Sequence, residues 1–390
     1  MECLFLEGCL AAGDRRLASA VRMLEITNDF PPTMGGIENY IYSIVRQWKP
    51  DDVVVLTRLG GTPAEAAAVD ATLSAEVRRE PVRRLLPTRR VAEHALRLLR
   101  DRHFDVVHFA SPLPLAALGP RLSRETGVPY AVSVHGGEFV AGARLARPIM
   151  QRVLGGAAVA LPVSSFTEAA IRQLLPHPPP TVIVRPGVDA DRFAPGLVPA
   201  FTGGGPVVLT ACRLIRRKGP STLIAALPRV LEAHPDAVLA IAGDGPDRRR
   251  LERAAAGSGV RGSVRFLGAL PWSTLGSYYA AADVFALPTR ERFGGLETEG
   301  FPLVYLEAAA AGLPVVAGRA GGVRDGVVDG ETGVIVDGRS PEDTAAAINA
   351  LLDDPARARA MGDAGRRRVL DDFSWQRAAD RFRWALETHA

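Results

Sequence analysis

The chain alternates short apolar runs with longer amphipathic stretches, and this alternation constrains the fold more than any other feature. Short runs rich in Val, Leu and Ile that alternate with helical segments predict buried parallel strands, with helices covering both faces of the sheet. The pattern occurs twice, which predicts an α/β protein with two such sheets. The predicted strands are MLEIT, DVVVLT, DVVHF, YAVSVH, VALPV and TVIV in the first half, and VVLTA, AVLAIAG, VRFLG, DVFALP, PVVAG and GVIV in the second.

The length of 390 residues fits two domains of ordinary size rather than one core. Residues 194–206 are rich in Pro and Gly, which is typical of a linker between domains. The ligand-binding loops of open parallel sheets follow the carboxyl ends of the strands, so the two domains should face each other across a cleft. The predicted divisions are an extension at 1–22, a Rossmann-like N-terminal domain at 23–195, a Rossmann-like C-terminal domain at 206–373, and a final helix at 374–390.

The sequence predicts a different structure for each end of the chain. The final stretch is an amphipathic helix whose Trp375, Phe382 and Trp384 need an apolar partner, and we expect it to return to the N-terminal domain. The first stretch lacks the basic start of a signal peptide, and Glu7 interrupts its apolar run. The first predicted strand begins at Met23, which could be the true start.

The composition limits which cellular compartment and which binding partners we expect. The formal net charge of +4 and the pI of about 9.2 suit an anionic partner without selecting nucleic acid, and we expect none. The three cysteines, Cys3, Cys9 and Cys212, form no C-x-x-C pair, which favours a reducing cytoplasm. No run approaches the roughly 20 apolar residues that a membrane span requires. We therefore expect a cytoplasmic protein, either soluble or peripheral on a membrane.

Two candidate sites follow strands of the N-terminal domain. Gly35 and Gly36 lead into a helix, whose first amides could bind a phosphate, although the pair also fits an ordinary turn. His135 ends the strand YAVSV beside two glycines, which favours a functional over a structural histidine. No G-x-G-x-x-G follows the first strand and no Tyr-x-x-x-Lys pair is present, which argues against a nucleotide-sugar epimerase or dehydrogenase.

A basic loop follows the first strand of the C-terminal domain. Arg213 and Lys218 stand just before a helix, where fixed cations could neutralise a leaving diphosphate. For Arg216 and Arg217 we prefer a solvated position.

Two glutamates flank the start of a helix later in the same domain. Glu299 precedes the helix and Glu307 lies two turns into it, where an ionised carboxylate is costly to bury without a partner. Carboxylates accept hydrogen bonds from hydroxyl groups, so the pair could hold a hexose and a ribose. A capping glutamate and a solvated one are the alternative. The residues whose amides could assist lie around Pro302 and are Phe301, Leu303 and Val304.

These motifs together resemble the retaining glycosyltransferases of family 4, which have the GT-B architecture. The resemblance extends from Met23 to the final helix. Within the family, the segments 27–37 and 289–300 look most like the phosphatidylinositol mannoside mannosyltransferases that use GDP-mannose. Relatives usually have Asp and Val where this chain has Glu297 and Thr298, and Leu-Gly at 301–302.

The resemblance implies a role for each candidate residue. Arg213 and Lys218 would hold the diphosphate, with Gly35 and Gly36 approaching from the other domain, and His135 would contact the sugar near its 6-hydroxyl. The remaining donor contacts would be Glu299 and the loop of Phe301, Pro302, Leu303 and Val304 for the hexose, Glu307 for the ribose, and Gly243, Asp244, Gly245, Arg265, Phe266 and Leu267 for the base.

The resemblance also implies the reaction. A hexose, mannose from GDP-mannose, would move with retained stereochemistry to a hydroxyl of a lipid-linked or glycan acceptor, without a cofactor or a metal. Asp189 and Asp191 fit a D-x-D metal motif, but we interpret the match as accidental. A UDP-sugar transferase with a soluble acceptor and a non-catalytic sugar-nucleotide-binding subunit remain the alternatives.

The stretch from Arg78 to Arg102 carries nine arginines interleaved with leucines. It could lie on anionic lipid at the inner membrane leaflet, as the resemblance to lipid mannosyltransferases implies. It could equally be a solvated helix face whose leucines pack on the sheet.

Overall fold

The computed structural model describes residues 21–137, 139–140, 146–201 and 204–390. The predicted extension at 1–22 lies almost entirely outside them. The described residues form two six-stranded parallel sheets with helices on both faces, which confirms the predicted fold class.

The N-terminal domain is built on a sheet with strand order β3-β2-β1-β4-β5-β6. Most of its strands are buried on both faces, which explains why they are continuous apolar runs. The strands are β1 (Met23–Ile26), β2 (Val53–Arg58), β3 (Glu76–Glu80), β4 (Val106–Phe109), β5 (Tyr130–Val134) and β6 (Val159–Pro162). The helices are α1 (Gly36–Val45), α2 (Pro63–Asp70), α3 (Arg89–Asp101), α4 (Gly119–Thr126), α5 (Arg147–Gly155) and α6 (Ser165–Leu174).

The C-terminal domain repeats this topology with strand order β12-β11-β10-β7-β8-β9. Its strands are β7 (Val207–Ala211), β8 (Val238–Ala242), β9 (Val264–Gly268), β10 (Val284–Leu287), β11 (Val315–Gly318) and β12 (Gly333–Val336). Its helices are α7 (Pro220–Ala233), α8 (Arg248–Gly257), α9 (Trp272–Tyr279), α10 (Leu303–Ala310), α11 (Val323–Gly326), α12 (Pro341–Asp353) and α13 (Pro355–Asp372), and α14 (Trp375–His389) follows.

The strand order changes direction at one point in each sheet. In the first sheet β1 pairs with both β2 and β4, and in the second β7 pairs with both β8 and β10. Ligands of such sheets bind outside the carboxyl ends of the strands at this switch point. The loops after β1, β4, β7 and β10 are therefore expected to border a ligand site.

The chain passes between the domains twice, side by side. Val184 packs in the first core and Val188 in the second, so the first passage lies at residues 185–187. The second passage joins Phe373 to α14, and the amide of Val188 donates to the carbonyl of Phe373 at 2.8 Å. At Gly187 an added Cβ would lie 2.4 Å from the backbone nitrogen of Trp375, so the two passages touch.

The final helix α14 packs on the N-terminal domain, as predicted. Phe382 is fully buried and meets the ring of Trp48 edge to face at 5.6 Å. The expectation that Trp384 needs an apolar partner is wrong, because its side chain is 44% exposed and lies beside Arg381.

Two strand assignments differ from the sequence pattern. The edge strand β3 has the sequence EVRRE, which carries no apolar run, and pairing to β2 alone forms it. Residues 181–184 were expected as a strand and run beside β6, with a bridge between Thr181 and Ala160 and amides of Val182 and Val184 that donate to Ala160 and Pro162, but they do not form a continuous strand.

The arginine-rich stretch contains an amphipathic helix, α3, whose apolar face packs inward rather than facing solvent. Its apolar residues lie in the first core, among them Leu85, Leu96 and Leu99, which leaves Leu86 exposed. The leucines of α3 therefore pack in the core, and its outer face carries exposed arginines. Within the described ranges no helix is both long enough and apolar enough to span a bilayer.

Candidate active site

A cavity of about 580 Å³ lies between the two domains, within the range of small-molecule sites. Its walls are the loops that follow β1, β5, β7 and β10. Ten of the predicted site residues line it, namely Gly35, Gly36, His135, Arg213, Lys218, Glu299, Phe301, Pro302, Leu303 and Val304.

The start of α1 forms the wall from the N-terminal domain. Gly35 precedes the helix and Gly36 is its first residue, so the first amides of α1, which have no carbonyl partner within the helix, lie at this wall. A Cβ added at Gly36 would meet no atom within 4 Å. The position therefore opens onto the cavity, where a side chain would occupy ligand space.

The imidazole of His135 is neutral near pH 7. Burial of the ring lowers its pKa to about 3, and the neighbouring His108 acts in the same direction. Its Nε2 atom is buried and has no hydrogen-bond partner among the described residues. Tyr40, on α1, packs its ring edge to face against the imidazole at 5.0 Å and fixes its orientation. A neutral, unpartnered ring nitrogen beside the cavity is suited to a hydroxyl group.

A single 3₁₀ turn, residues Arg216–Lys218, forms the opposite wall after β7. Gly219 ends the turn with φ +81°, and a Cβ there would lie 2.0 Å from the carbonyl oxygen of Pro288, so only glycine fits. Arg213 is exposed on the cavity wall and makes no ion pair within the described part of the chain. Its charge is available to an anion.

Glu299 accepts hydrogen bonds from two cations of this turn. Its carboxylate, 6% exposed, contacts Nη1 of Arg217 and lies 3.0 Å from Nζ of Lys218. The expected solvated position of Arg217 is therefore wrong, because the turn directs it into the cavity beside Lys218. Arg216 is 58% exposed near Asp247, as expected for a solvated residue.

The two domains touch through glycine at the base of the cavity. An added Cβ on Gly300 would lie 1.5 Å from the carbonyl oxygen of His135, and one on Gly136 would lie 2.4 Å from the Cα of Gly300. Glycine at both positions allows the His135 loop to contact the Glu299 loop directly. The two predicted sugar-binding loops are thus adjacent.

Glu307 lies behind the cavity wall rather than on it. Its carboxylate accepts a hydrogen bond from the hydroxyl of Tyr279 at 2.8 Å, which supplies the partner that burial demands. Burial raises the pKa of Glu307 to about 7, and the bond from Tyr279 opposes part of that rise.

The residues predicted to contact the base are not brought to the cavity wall. Gly243 and Gly245 have positive φ and pack against the backbone of Cys212 and Leu214, and the carbonyl of Asp244 accepts from the amide of Leu214 at 2.9 Å. They support the loop that carries Arg213. The β9 residues point elsewhere: Arg265 lies over Phe201, Phe266 lies beside Arg248, and Leu267 packs in the second core.

The sequence reasoning missed Arg217 and Tyr40. Arg217 carried no usable signal, because its direction depends on a short 3₁₀ turn that no periodicity marks. Tyr40 lies one helical turn after Gly36, the spacing that places two residues on one helix face.

Comparison with known proteins agrees with this geometry. Residues 34–192 match the family model described as Glycosyltransferase Family 4, and residues 198–368 match the model described as Glycosyl transferases group 1. The chain is also similar in structure to a sucrose-phosphate synthase from Thermosynechococcus elongatus, with a TM-score of 0.75 and 23% identity over 94% of this chain and 98% of that one. This likeness concerns the fold.

Two curated relatives are similar along most of their length. A GDP-mannose-dependent alpha-(1-6)-phosphatidylinositol monomannoside mannosyltransferase of Mycolicibacterium smegmatis is 38% identical over 88% of this chain and 92% of its own. The protein of the same description from Mycobacterium tuberculosis is 36% identical with the same coverage. With both domains matched and Glu299 paired with the cationic turn on one wall of the cavity, this chain belongs to glycosyltransferase family 4, with the GT-B fold.

Proposed function

We propose that this chain is a retaining mannosyltransferase that moves mannose from GDP-mannose to a hydroxyl of a lipid-linked or glycan acceptor such as a phosphatidylinositol mannoside. The names of the relatives supply the donor and acceptor classes. The observation that carries the proposal is the pairing of Arg217 and Lys218 with Glu299, opposite the open start of α1.

The donor diphosphate occupies the space between the cationic turn and α1. Arg213 already faces this space, and Lys218 exchanges the Glu299 carboxylate for a phosphate oxygen when the donor binds. The amides at the start of α1 add the positive end of the helix dipole from the other side. Charge that develops on the leaving diphosphate is thereby stabilised from both domains.

The same exchange prepares the sugar site. Once Lys218 turns to phosphate, the Glu299 carboxylate accepts hydrogen bonds from hexose hydroxyls. The amides at the start of α10, at Leu303 and Val304, face the same hydroxyls. Nε2 of His135 takes a further hydroxyl. Glu307 would reach the ribose only after Tyr279 releases it.

Retention of stereochemistry requires attack on the face that the diphosphate leaves. We assign the proton of the acceptor hydroxyl to an oxygen of the departing phosphate, with no carboxylate as nucleophile. The developing charge is met by Arg213, Lys218 and helix amides, so the reaction needs no divalent ion. Asp189, of the D-x-D match, lies 3.4 Å from Arg192 in an ion pair.

A donor panel tests the proposed reaction. The purified protein is incubated with GDP-mannose, UDP-glucose or ADP-glucose and a phosphatidylinositol monomannoside, and release of the nucleoside diphosphate is measured with and without EDTA. We expect acceptor-dependent release of GDP alone, unchanged by EDTA. Release of UDP would favour the alternative donor, no release from any donor would favour a non-catalytic subunit, and loss in EDTA that Mg²⁺ restores would contradict metal independence.

The acceptor and the localisation belong to the same proposal. Arg83, Arg84, Arg89 and Arg90 are exposed beside Leu86, which is 49% exposed, in and after the loop that follows β3. A cluster of this kind binds anionic lipid through charge, because each cation near the surface contributes about 1 kcal/mol. We propose that this loop rests on the inner leaflet of the membrane and that the enzyme is cytoplasmic and peripheral.

A further inference from the structure

A buried carboxylate of the C-terminal domain is bound by groups of the N-terminal domain. Asp325 lies in the short helix α11, and its side chain is only 3% exposed. Its Oδ2 accepts from the hydroxyl of Ser165 at 2.6 Å and from the amide of Ser165 at 3.1 Å. Ser165 is the first residue of α6, so the carboxylate also meets the positive end of a helix dipole.

The same carboxylate holds the passage between the domains. Nε and Nη2 of Arg185 donate to Oδ1 of Asp325 at 3.1 and 2.9 Å. Arg185 stands at the start of the passage at residues 185–187. From α13, Arg368 donates to the backbone carbonyls of Asp325 and Gly326 at 2.8 and 2.7 Å, which fixes the turn that carries the carboxylate.

This turn is joined directly to the donor loop. The amide of Gly322 donates to the carbonyl of Glu299 at 3.0 Å. A Cβ added at Gly322 would lie 1.9 Å from the carbonyl oxygen of Gly300 and 2.7 Å from Oγ of Ser164. Gly322 is therefore enclosed by residues of both domains. A shift of α6 would therefore move Glu299, because only three backbone steps separate Asp325 from Gly322, whose amide binds the carbonyl of Glu299.

We propose that Asp325 is an interdomain latch, a positioning residue that holds the His135 loop against the Glu299–Gly300 loop. Charge-assisted hydrogen bonds are stronger than neutral ones, and among the described residues five hydrogen-bond contacts converge on this carboxylate from Ser165 and Arg185. Without them, the two domains keep their own cores but lose the contact that sets their relative orientation. The part of the proposal that concerns turnover rests on the proposed mannosyl transfer.

The test compares Asp325→Ala with a matched control, Asp329→Ala. Asp329 accepts from the amide of Ile335 at 2.8 Å, entirely within the C-terminal domain, so its loss affects stability without touching the interface. The radius of gyration is measured by small-angle scattering, the affinity for GDP by calorimetry, and kcat by mannosyl transfer.

We expect Asp325→Ala alone to enlarge the radius of gyration and broaden the scattering profile. Its kcat should fall about 10- to 100-fold, since misplacement by about 1 Å costs that much. The affinity for GDP should fall by a smaller factor than kcat, because Arg213 and Lys218 lie in one domain and only the amides of α1 lie in the other. Asp325→Glu should recover part of the lost kcat, since it restores the charge.

An unchanged radius of gyration, or a wild-type kcat, would each overturn the latch. If Asp325→Ala does not fold, the double variant Ser165→Ala, Arg185→Ala removes the same bonds from the other side and is judged by the same outcomes. A wild-type enzyme that transfers no mannose would overturn the proposed function instead, while the scattering comparison would still decide the latch.

Discussion

At the scale of single residues, the cavity is organised around one carboxylate shared by two cations. Glu299 contacts Arg217 and Lys218, while Arg213 faces open space on the same wall. A buried charge without a partner is costly, so under the proposed mechanism Arg217 would keep Glu299 paired after Lys218 turns to the donor. The proposal thereby gives the additional cation of the turn a role.

Replacing the phosphate-facing cations should abolish most of the activity. We expect Arg213→Ala and Lys218→Ala each to lower kcat/KM about 100- to 1000-fold, because each removes stabilisation of leaving-group charge. Steady-state kinetics on the folded variants measure this. Arg216→Ala, at the exposed residue of the same turn, is the control, and its kcat/KM should be close to the wild-type value. Wild-type rates in either active-site variant would refute the assignment.

A side chain at Gly36 should block the donor without disturbing the fold. A Cβ there meets no atom within 4 Å, so Gly36→Val should keep the unfolding temperature of the wild type. Its side chain would fill the space between α1 and the cationic turn, and we expect calorimetry to detect no binding of GDP. Gly155→Val, also an unobstructed helical glycine, is the control. Tight GDP binding by Gly36→Val would place the diphosphate elsewhere.

The sequence patterns predicted which residues line the cavity more reliably than they predicted which side chains bind one another. His135, Arg213, Lys218 and Glu299 line one cavity because each follows a strand end, which the alternation of elements reveals. The side chain of Arg217 could not be placed in the same way, since its direction depends on a short 3₁₀ turn that no periodicity marks.

At the scale of elements, helix α10 carries a buried carboxylic acid that should make stability depend on pH. The pKa of Glu307 is raised from 4.5 to about 7 by burial. Between these values the folded chain holds a proton that the unfolded chain has released. The contribution to stability is therefore full below about pH 4.5 and is lost as pH rises to about 7.

Urea unfolding of the wild type and of Glu307→Gln at pH 5 and pH 8 tests this dependence. The glutamine keeps a partner for Tyr279 but does not ionise. We expect the wild type to lose about 2 to 3 kcal/mol more unfolding free energy than the variant between the two pH values. Equal losses in both proteins would show that Glu307 is ionised at little cost.

Edge elements were the hardest to predict. The strand β3 is charged along its length and gains its structure from pairing with β2, which composition does not reveal. Residues 181–184 are apolar because Val182 and Val184 fill the first core, and their amides donate to carbonyls of β6 without completing a strand. The apolar run therefore predicted the burial and the neighbouring strand, but not the irregular pairing.

At the scale of the whole molecule, the relative placement of the domains depends on contacts that no local pattern contains. Ser165 and Asp325 are 160 positions apart in the chain, and Gly136 meets Gly300 through bare backbone. The two-sheet fold could be predicted from alternation alone, whereas the interface between the domains required the structure.

The basic loop after β3 should bind anionic membranes. We expect the protein to sediment with phosphatidylglycerol or phosphatidylinositol vesicles, and the bound fraction to fall as salt screens the charges. Replacement of Arg83, Arg84, Arg89 and Arg90 by Ser should abolish binding, whereas Arg357→Ser and Arg359→Ser, at exposed positions of α13, should not. Equal binding to neutral vesicles, or none to either kind, would favour a soluble acceptor.

Transfer of radiolabelled mannose from GDP-mannose to phosphatidylinositol monomannoside tests the central claim most directly. The lipid is presented in anionic vesicles, and the label in the extracted lipid fraction is counted over time. We predict a labelled lipid with one more mannose, formed by the wild type and nearly absent with Lys218→Ala. No label in the lipid with the wild-type enzyme, together with transfer from a UDP-sugar to a soluble acceptor, would contradict the account.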